Sequence, residues 1–289
     1  LVDLFDQSTI GADGTMDPAE DSAGVGKWCL MGLGTPGWGV EDGPNAFCAW
    51  SLARLGWVQV VDVAADTAGL VIPDAIAGRR VFRIPLTRDE YYLLENRQAS
   101  GSYYNRNVPA NGLLIWHVDE RADNDEERHK QVDLVCADGL YADTGYPGRE
   151  PDPVTGGDNL DYFAKDSAYA TVHRGNEGDA TDPFDGVRYT RFAWDANPRA
   201  AAYTGLSRNL PMGIAVESIR ARGADMVVDV RVRQPLAGHI SADTTWSGTV
   251  ELAGDVVVDP GVRLTLAPGT TVRLASFDWS RQGLDAALC

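Results

Sequence analysis

The chain has 289 residues, enough for about two domains, and its 44% apolar content with eight Trp excludes a disordered polypeptide. Its 42 acids against 25 Lys and Arg give a formal charge of −17, a field that repels a phosphate backbone and excludes nucleic acid as a natural partner. No run approaches ~20 uninterrupted apolar residues, so no membrane-spanning segment is expected.

Residues 1–45 are rich in Gly and Asp, as in GADGTMDPAEDSAGVG and GLGTPGWGVEDGP, and read as loop. Asp3, Asp6, Asp13, Asp17 and Asp21 in this stretch read either as solvated turn residues or as hard oxygen ligands for calcium. DQSTIGADGTMD lacks the alternation and the closing Glu of an EF-hand loop. NAFCAWSLARLGW follows, with Phe47, Trp50, Leu52, Leu55 and Trp57 spaced for one face of a short helix and Gly56 placed to end it.

VQVVDVAA, RRVFRIPL and EYYLLENR then read as strands, being rich in β-branched and aromatic residues and separated by Gly, Pro and Asp. GLLIWHVDE is the strongest strand, and its unbroken Leu113-Leu114-Ile115-Trp116 run predicts burial on both faces. RADNDEERHK reads as a charged loop, and QVDLVCADG as another short strand. Residues 140–210 return to Asp-, Gly- and Pro-rich sequence, and MGIAVESIRARGADMVVDVRV closes the region as a strand pair turning at ARGAD.

At about Gln234 the texture changes to short alternating strands, expected at Thr249–Leu252, Asp255–Val258, Arg263–Leu266 and Thr271–Leu274. Turns at Ala253-Gly254, Pro260-Gly261 and Pro268-Gly269 punctuate them. The pattern fits a β-sandwich or the start of a parallel β-solenoid, and the spacing favours the solenoid. The predicted fold class is α+β, mostly β, in two parts, residues 1–233 and 234–289.

The four cysteines, Cys29, Cys48, Cys136 and Cys289, form no CxxC pair, so a cysteine zinc site has no support. Cys29 and Cys48 are open between a bridge made in an oxidising compartment and two buried thiols. The four histidines, His117, His129, His173 and His239, include no pair four apart, so no HExxH helix is present. No GxSxG supports a serine nucleophile. His117 reads as a hydrogen-bonded strand-end residue, with a second metal site alongside Asp119 and Glu120 as the rarer alternative. Glu95 and Arg97 read either as a structural ion pair or as part of a substrate-cleft wall.

Taken in order, LVDLFD, the Gly-Asp loop, GVGKWCLMGLG, AWSLARLGW, EYYLLENRQ, GLLIWHVDE, VDLVCADG, GDATDPFDG and GIAVESIRARGADMVVDV resemble the secreted zinc metallopeptidases of the immune inhibitor A family, over residues 1–233. The resemblance implies the C-terminal part of a zincin- or metzincin-like catalytic region with a β-rich extension, an extracellular address and a protein or peptide substrate. In that family a helix of pattern HExxHxxG precedes an LPDLYD-like stretch, its two His binding zinc and its Glu polarising the metal-bound water. The implied third zinc ligand is Asp3, on the expectation that such a helix stands directly before Leu1. Met31 is implied as the tight methionine turn beneath the metal, an apolar support for the His ligands. Cys29 stands where relatives often carry Asp or Ser. Without HExxH, the 289 residues themselves are expected not to cleave peptides. The alternative function is a secreted, non-enzymatic surface or binding module whose Asp loops hold calcium.

Overall fold

The computed structural model describes residues 4, 24–39, 42–125, 129–138, 177–194, 196–204, 207–211, 213–232 and 236–274. Within them the architecture is mostly β, with one short α-helix, α1 (Ala49–Arg54), and single 3-10 turns at Gly26–Trp28 and Tyr103–Asn105. The predicted helix is shorter than its apolar spacing suggested. It ends where expected, because Gly56 takes φ 68, a conformation that costs a residue without Cβ nothing.

Strands β1 (Gln59–Asp62), β2 (Thr67–Ile72), β3 (Arg80–Pro85), β4 (Glu90–Arg97), β5 (Gly112–Asp119) and β6 (Val132–Val135) follow in chain order. Five of them form one sheet in the order β1-β3-β4-β5-β6, with only the β1–β3 pair parallel. All eight residues of β5 are buried, as its continuous apolar run requires. Side-chain alternation sends Leu93, Leu114, Trp116 and Val118 into one core with Trp28, Cys29, Cys48 and Trp50. It sends Tyr92, Leu94, Leu113 and Ile115 into a second core on the opposite face.

That second core is closed by another sheet. Strands β7 (Phe192–Ala193), β8 (Ala201–Thr204), β9 (Ser207–Pro211), β10 (Ile214–Arg222) and β11 (Asp225–Val232) come next, and the sheet order is β2-β11-β10-β7. The β10–β11 hairpin turns on Gly223, at φ 65, as the ARGAD sequence predicted. Phe192, Ile214, Val216, Met226 and Val228 face the first sheet. Apolar burial at roughly 25 cal/mol per Å2 makes these two cores the main source of stability. Residues 140–210, read from sequence only as Asp-, Gly- and Pro-rich, contain strands β7 and β8 and the start of β9 in their described part, and β2 was not foreseen.

Strands β12 (Leu236–Ile240), β13 (Thr244–Trp246), β14 (Thr249–Val258), β15 (Leu264–Leu266) and β16 (Thr271–Leu274) pair only among themselves. Every pairing is parallel: Thr244 stands opposite Leu264, Thr249 opposite Thr271, and Ile240 opposite Val258. Trp246, Leu252 and Val256 form a small core of their own. Ala253-Gly254, expected as a turn between two strands, lies inside β14 instead, and the register with β12 slips across this point. A bulge absorbs the residues there, which ends one ladder and starts another without a chain reversal. No helix among the described residues is long and apolar enough to cross a membrane.

Candidate functional site

The WCLMG segment is a compact turn with Met31 at its tip. The N–H groups of Gly32 and Gly34 both donate to the Cys29 carbonyl, at 3.1 and 3.0 Å, and Leu33 donates to the Gly26 carbonyl at 2.8 Å. Only glycine fits at position 34, since a Cβ there would stand 2.5 Å from the Cys29 oxygen. Met31 is half-buried and packs against the first core. Leu4, fully buried, is laced onto this turn: its N–H donates to the Met31 carbonyl at 2.9 Å, and its own carbonyl accepts from Val25 at 3.2 Å. Asp3, the residue before Leu4 in the chain, lies outside the described residues.

Beneath the turn sits a buried ion pair. Glu95 and Arg97 are two apart on β4, so both side chains project from the same face of the sheet. Their charged atoms meet at 2.6 Å with exposures of only 2% and 1%. The second Glu95 oxygen accepts from the Ala49 N–H and the Trp116 indole, each at 2.8 Å. Arg97 spends its remaining donors on the carbonyls of Trp28 and Phe47. Burial pushes the Glu95 carboxyl above its usual range, opposed first by the Arg97 charge. These contacts tie the first turn of α1 and the chain on either side of the methionine turn to the sheet. Lys130, also buried, donates to the Gly24 carbonyl at 3.1 Å, four residues before Trp28.

On the opposite face of the same sheet lies a different cluster. His117, with 0% exposure, meets the Glu90 carboxylate through Nε2 at 2.7 Å, and the Tyr203 N–H donates to the same oxygen at 2.8 Å. The His117 ring stacks on Tyr203 at 4.5 Å, and Tyr203 stacks in turn on His129 at 3.8 Å. His129 Nε2 reaches the Asp119 carboxylate at 2.9 Å. Tyr92 extends the column beyond His117, with ring centroids 4.7 Å apart. Burial, with the nearby Asp119 charge adding to it, raises the Glu90 pKa to about 7. Asp119 is held below its usual range: burial works against ionisation, but the Arg121 N–H and His129 outweigh it. Two carboxylate–imidazole pairs therefore flank one tyrosine, and one of their acids exchanges its proton near neutral pH.

Asp3 and the other candidate calcium ligands, Asp6, Asp13, Asp17 and Asp21, lie outside the described residues, as do His173 and Cys289. Met31, Glu95 and Arg97 come together around the turn, whereas His117 and Asp119 belong to the ring column on the other face. Glu90 and Tyr203 were not foreseen, and His129 was noted only as a histidine outside any HExxH pair; Cys29 and Cys48 are free and buried here, one of the two alternatives left open. Tyr203 arrives from sequence with no recognisable motif, and Glu90 looked like the first residue of a strand and no more. Among the described residues no three His, Cys, Asp or Glu side chains converge in a way that could hold a metal ion. Comparison with protein-family models, with curated proteins and with solved structures finds no match.

Proposed function

We propose that residues 1–233 are part of the catalytic region of a secreted zinc endopeptidase similar to immune inhibitor A, acting on peptide bonds of protein substrates. The observation that carries this reading is the hydrogen bond from the Leu4 N–H to the Met31 carbonyl. It joins two segments that only the resemblance connects: the stretch implied to hold the third zinc ligand, Asp3, and the turn implied to lie under the metal. A tight turn with a half-buried thioether at its tip, braced by a buried ion pair, is the support such a ligand set needs. Residues 234–289 are proposed as a second module. Parallel pairing at an offset of about 20 residues, with no helical crossover, supports coils of a β-solenoid over a sandwich, whose sheets are antiparallel.

The reading requires an HExxHxxG helix joined before Leu1, and it makes the 289 residues inactive without one. Incubation of the chain with zinc and casein is expected to give no cleavage, and chelator-sensitive cleavage would overturn the ligand assignment. Codons directly upstream of Leu1 are expected to encode that helix. A start codon or unrelated sequence there leaves the calcium-stabilised surface module as the better account.

A further inference from the structure

Cys29 and Cys48 stand together under the methionine turn, both with 0% exposure. Cys29 Sγ accepts from the Cys48 N–H at 3.3 Å and from the Met31 N–H at 3.4 Å. The Ser51 hydroxyl lies 3.7 Å from Cys29 Sγ and 3.5 Å from Cys48 Sγ, so both sulfurs border one oxygen. We propose that these two thiols are a redox pair that closes to a disulfide, locking the WCLMG turn to the start of α1. The pair is independent of the peptidase reading, since it needs neither zinc nor substrate.

The chemistry is a thiol–disulfide exchange with a small disulfide such as glutathione disulfide. During folding, before the two sulfurs are enclosed, Cys29 thiolate attacks one glutathione sulfur, forming a mixed disulfide and releasing the other glutathione as its thiolate. That thiolate takes the proton of Cys48, whose sulfur then attacks Cys29 Sγ and expels the second glutathione. The two protein thiols are oxidised to one cystine while glutathione disulfide is reduced to two glutathiones.

Two features prepare the pair. Burial works against ionisation of Cys29, but the Cys48 thiol, the Cys48 and Met31 N–H groups and Ser51 outweigh it, lowering its pKa to about 7. Burial, with the neighbouring Cys29 adding to it, pushes Cys48 the other way. One sulfur is thereby favoured as the attacking thiolate and its partner as the proton-bearing resolving thiol. Because the Met31 N–H is bonded to Cys29 Sγ, the oxidation state of the pair bears directly on the anchor of the turn.

The test is a peptide map of the chain refolded in glutathione and glutathione disulfide, quenched with acid, denatured and alkylated. The expected result is a Cys29–Cys48 cystine, with Cys136 and Cys289 carrying the alkyl label, and a melting temperature about 5 °C or more above that of the reduced chain. Cys48→Ser should abolish the redox-dependent shift. Alkylation of both Cys29 and Cys48 after refolding with excess glutathione disulfide overturns the proposal, as does a cystine joining either one to Cys136. The map on the wild-type chain decides even where the variant fails to fold.

Discussion

The two faces of strand β4 carry a buried glutamate each, and the two are handled differently. Glu95 is neutralised by a guanidinium one pleat away and by two further N–H donors. Glu90 has an imidazole and one backbone N–H instead, and its pKa rises to about 7. The difference teaches that burial alone does not decide a carboxylate's role. A fixed cation with several donors opposes burial and makes a rivet, whereas burial beside the Asp119 charge, with no such cation in contact, leaves Glu90 to titrate near neutrality.

The rivet predicts the largest effect. Arg97→Met leaves the Glu95 charge buried without its partner and should cost about 3–5 kcal/mol in urea unfolding, enough to threaten the fold. A loss below about 1 kcal/mol would show that Glu95 is not charged in the folded chain. Trp116→Phe, which removes only one donor to Glu95, should cost about 1–3 kcal/mol by the same measurement.

The Glu90 face predicts a pH dependence. Its folded pKa, about 7, lies above the ordinary glutamate value of 4.5, so the folded state binds more protons between these pH values. Stability from this group is full below about 4.5 and is lost as pH rises through about 7. Glu90→Gln should flatten that part of the profile, a difference from wild type of about 2 kcal/mol after discounting for solvent screening. Parallel melting curves from pH 5 to 8 for the two proteins would contradict the assignment.

The smallest effect is expected where an ion pair is exposed. Arg83 meets Asp62 directly across the β1–β3 pair at 2.6 Å, but with exposures of 41% and 52%. Arg83→Met should change stability by less than about 1 kcal/mol. Together with Arg97→Met it separates a rivet from a surface pair of similar geometry.

How much of this was legible follows from which forces are local. Strand β4 runs over Glu90–Arg97 and β5 over Gly112–Asp119, close to the sequence expectation, because an apolar run bounded by turn residues needs no partner to be recognised. Strand β2 escaped notice because Gly69, at φ 63, interrupts the strand pattern, and it is held by pairing with β11 far along the chain. The same limit applies to the site. Glu95 and Arg97 were visible as a pair, but the choice between ion pair and cleft wall rests on burial and on carbonyls from Trp28 and Phe47. The Glu90–His117–Tyr203 contact depends on cross-strand register and on a strand from unpatterned sequence, so no local signal reveals it.

The central proposal is that the turn carrying Met31, to which Leu4 is bonded, lies under a zinc site for which Asp3 supplies a ligand. It is tested most directly by expressing the chain joined to the coding sequence that precedes Leu1, as wild type and as Asp3→Asn, and measuring bound zinc together with casein cleavage. The account predicts about one zinc per wild-type chain, chelator-sensitive cleavage, and loss of both in Asp3→Asn. A wild-type chain without zinc or cleavage, or an Asp3→Asn chain that keeps both, would contradict it.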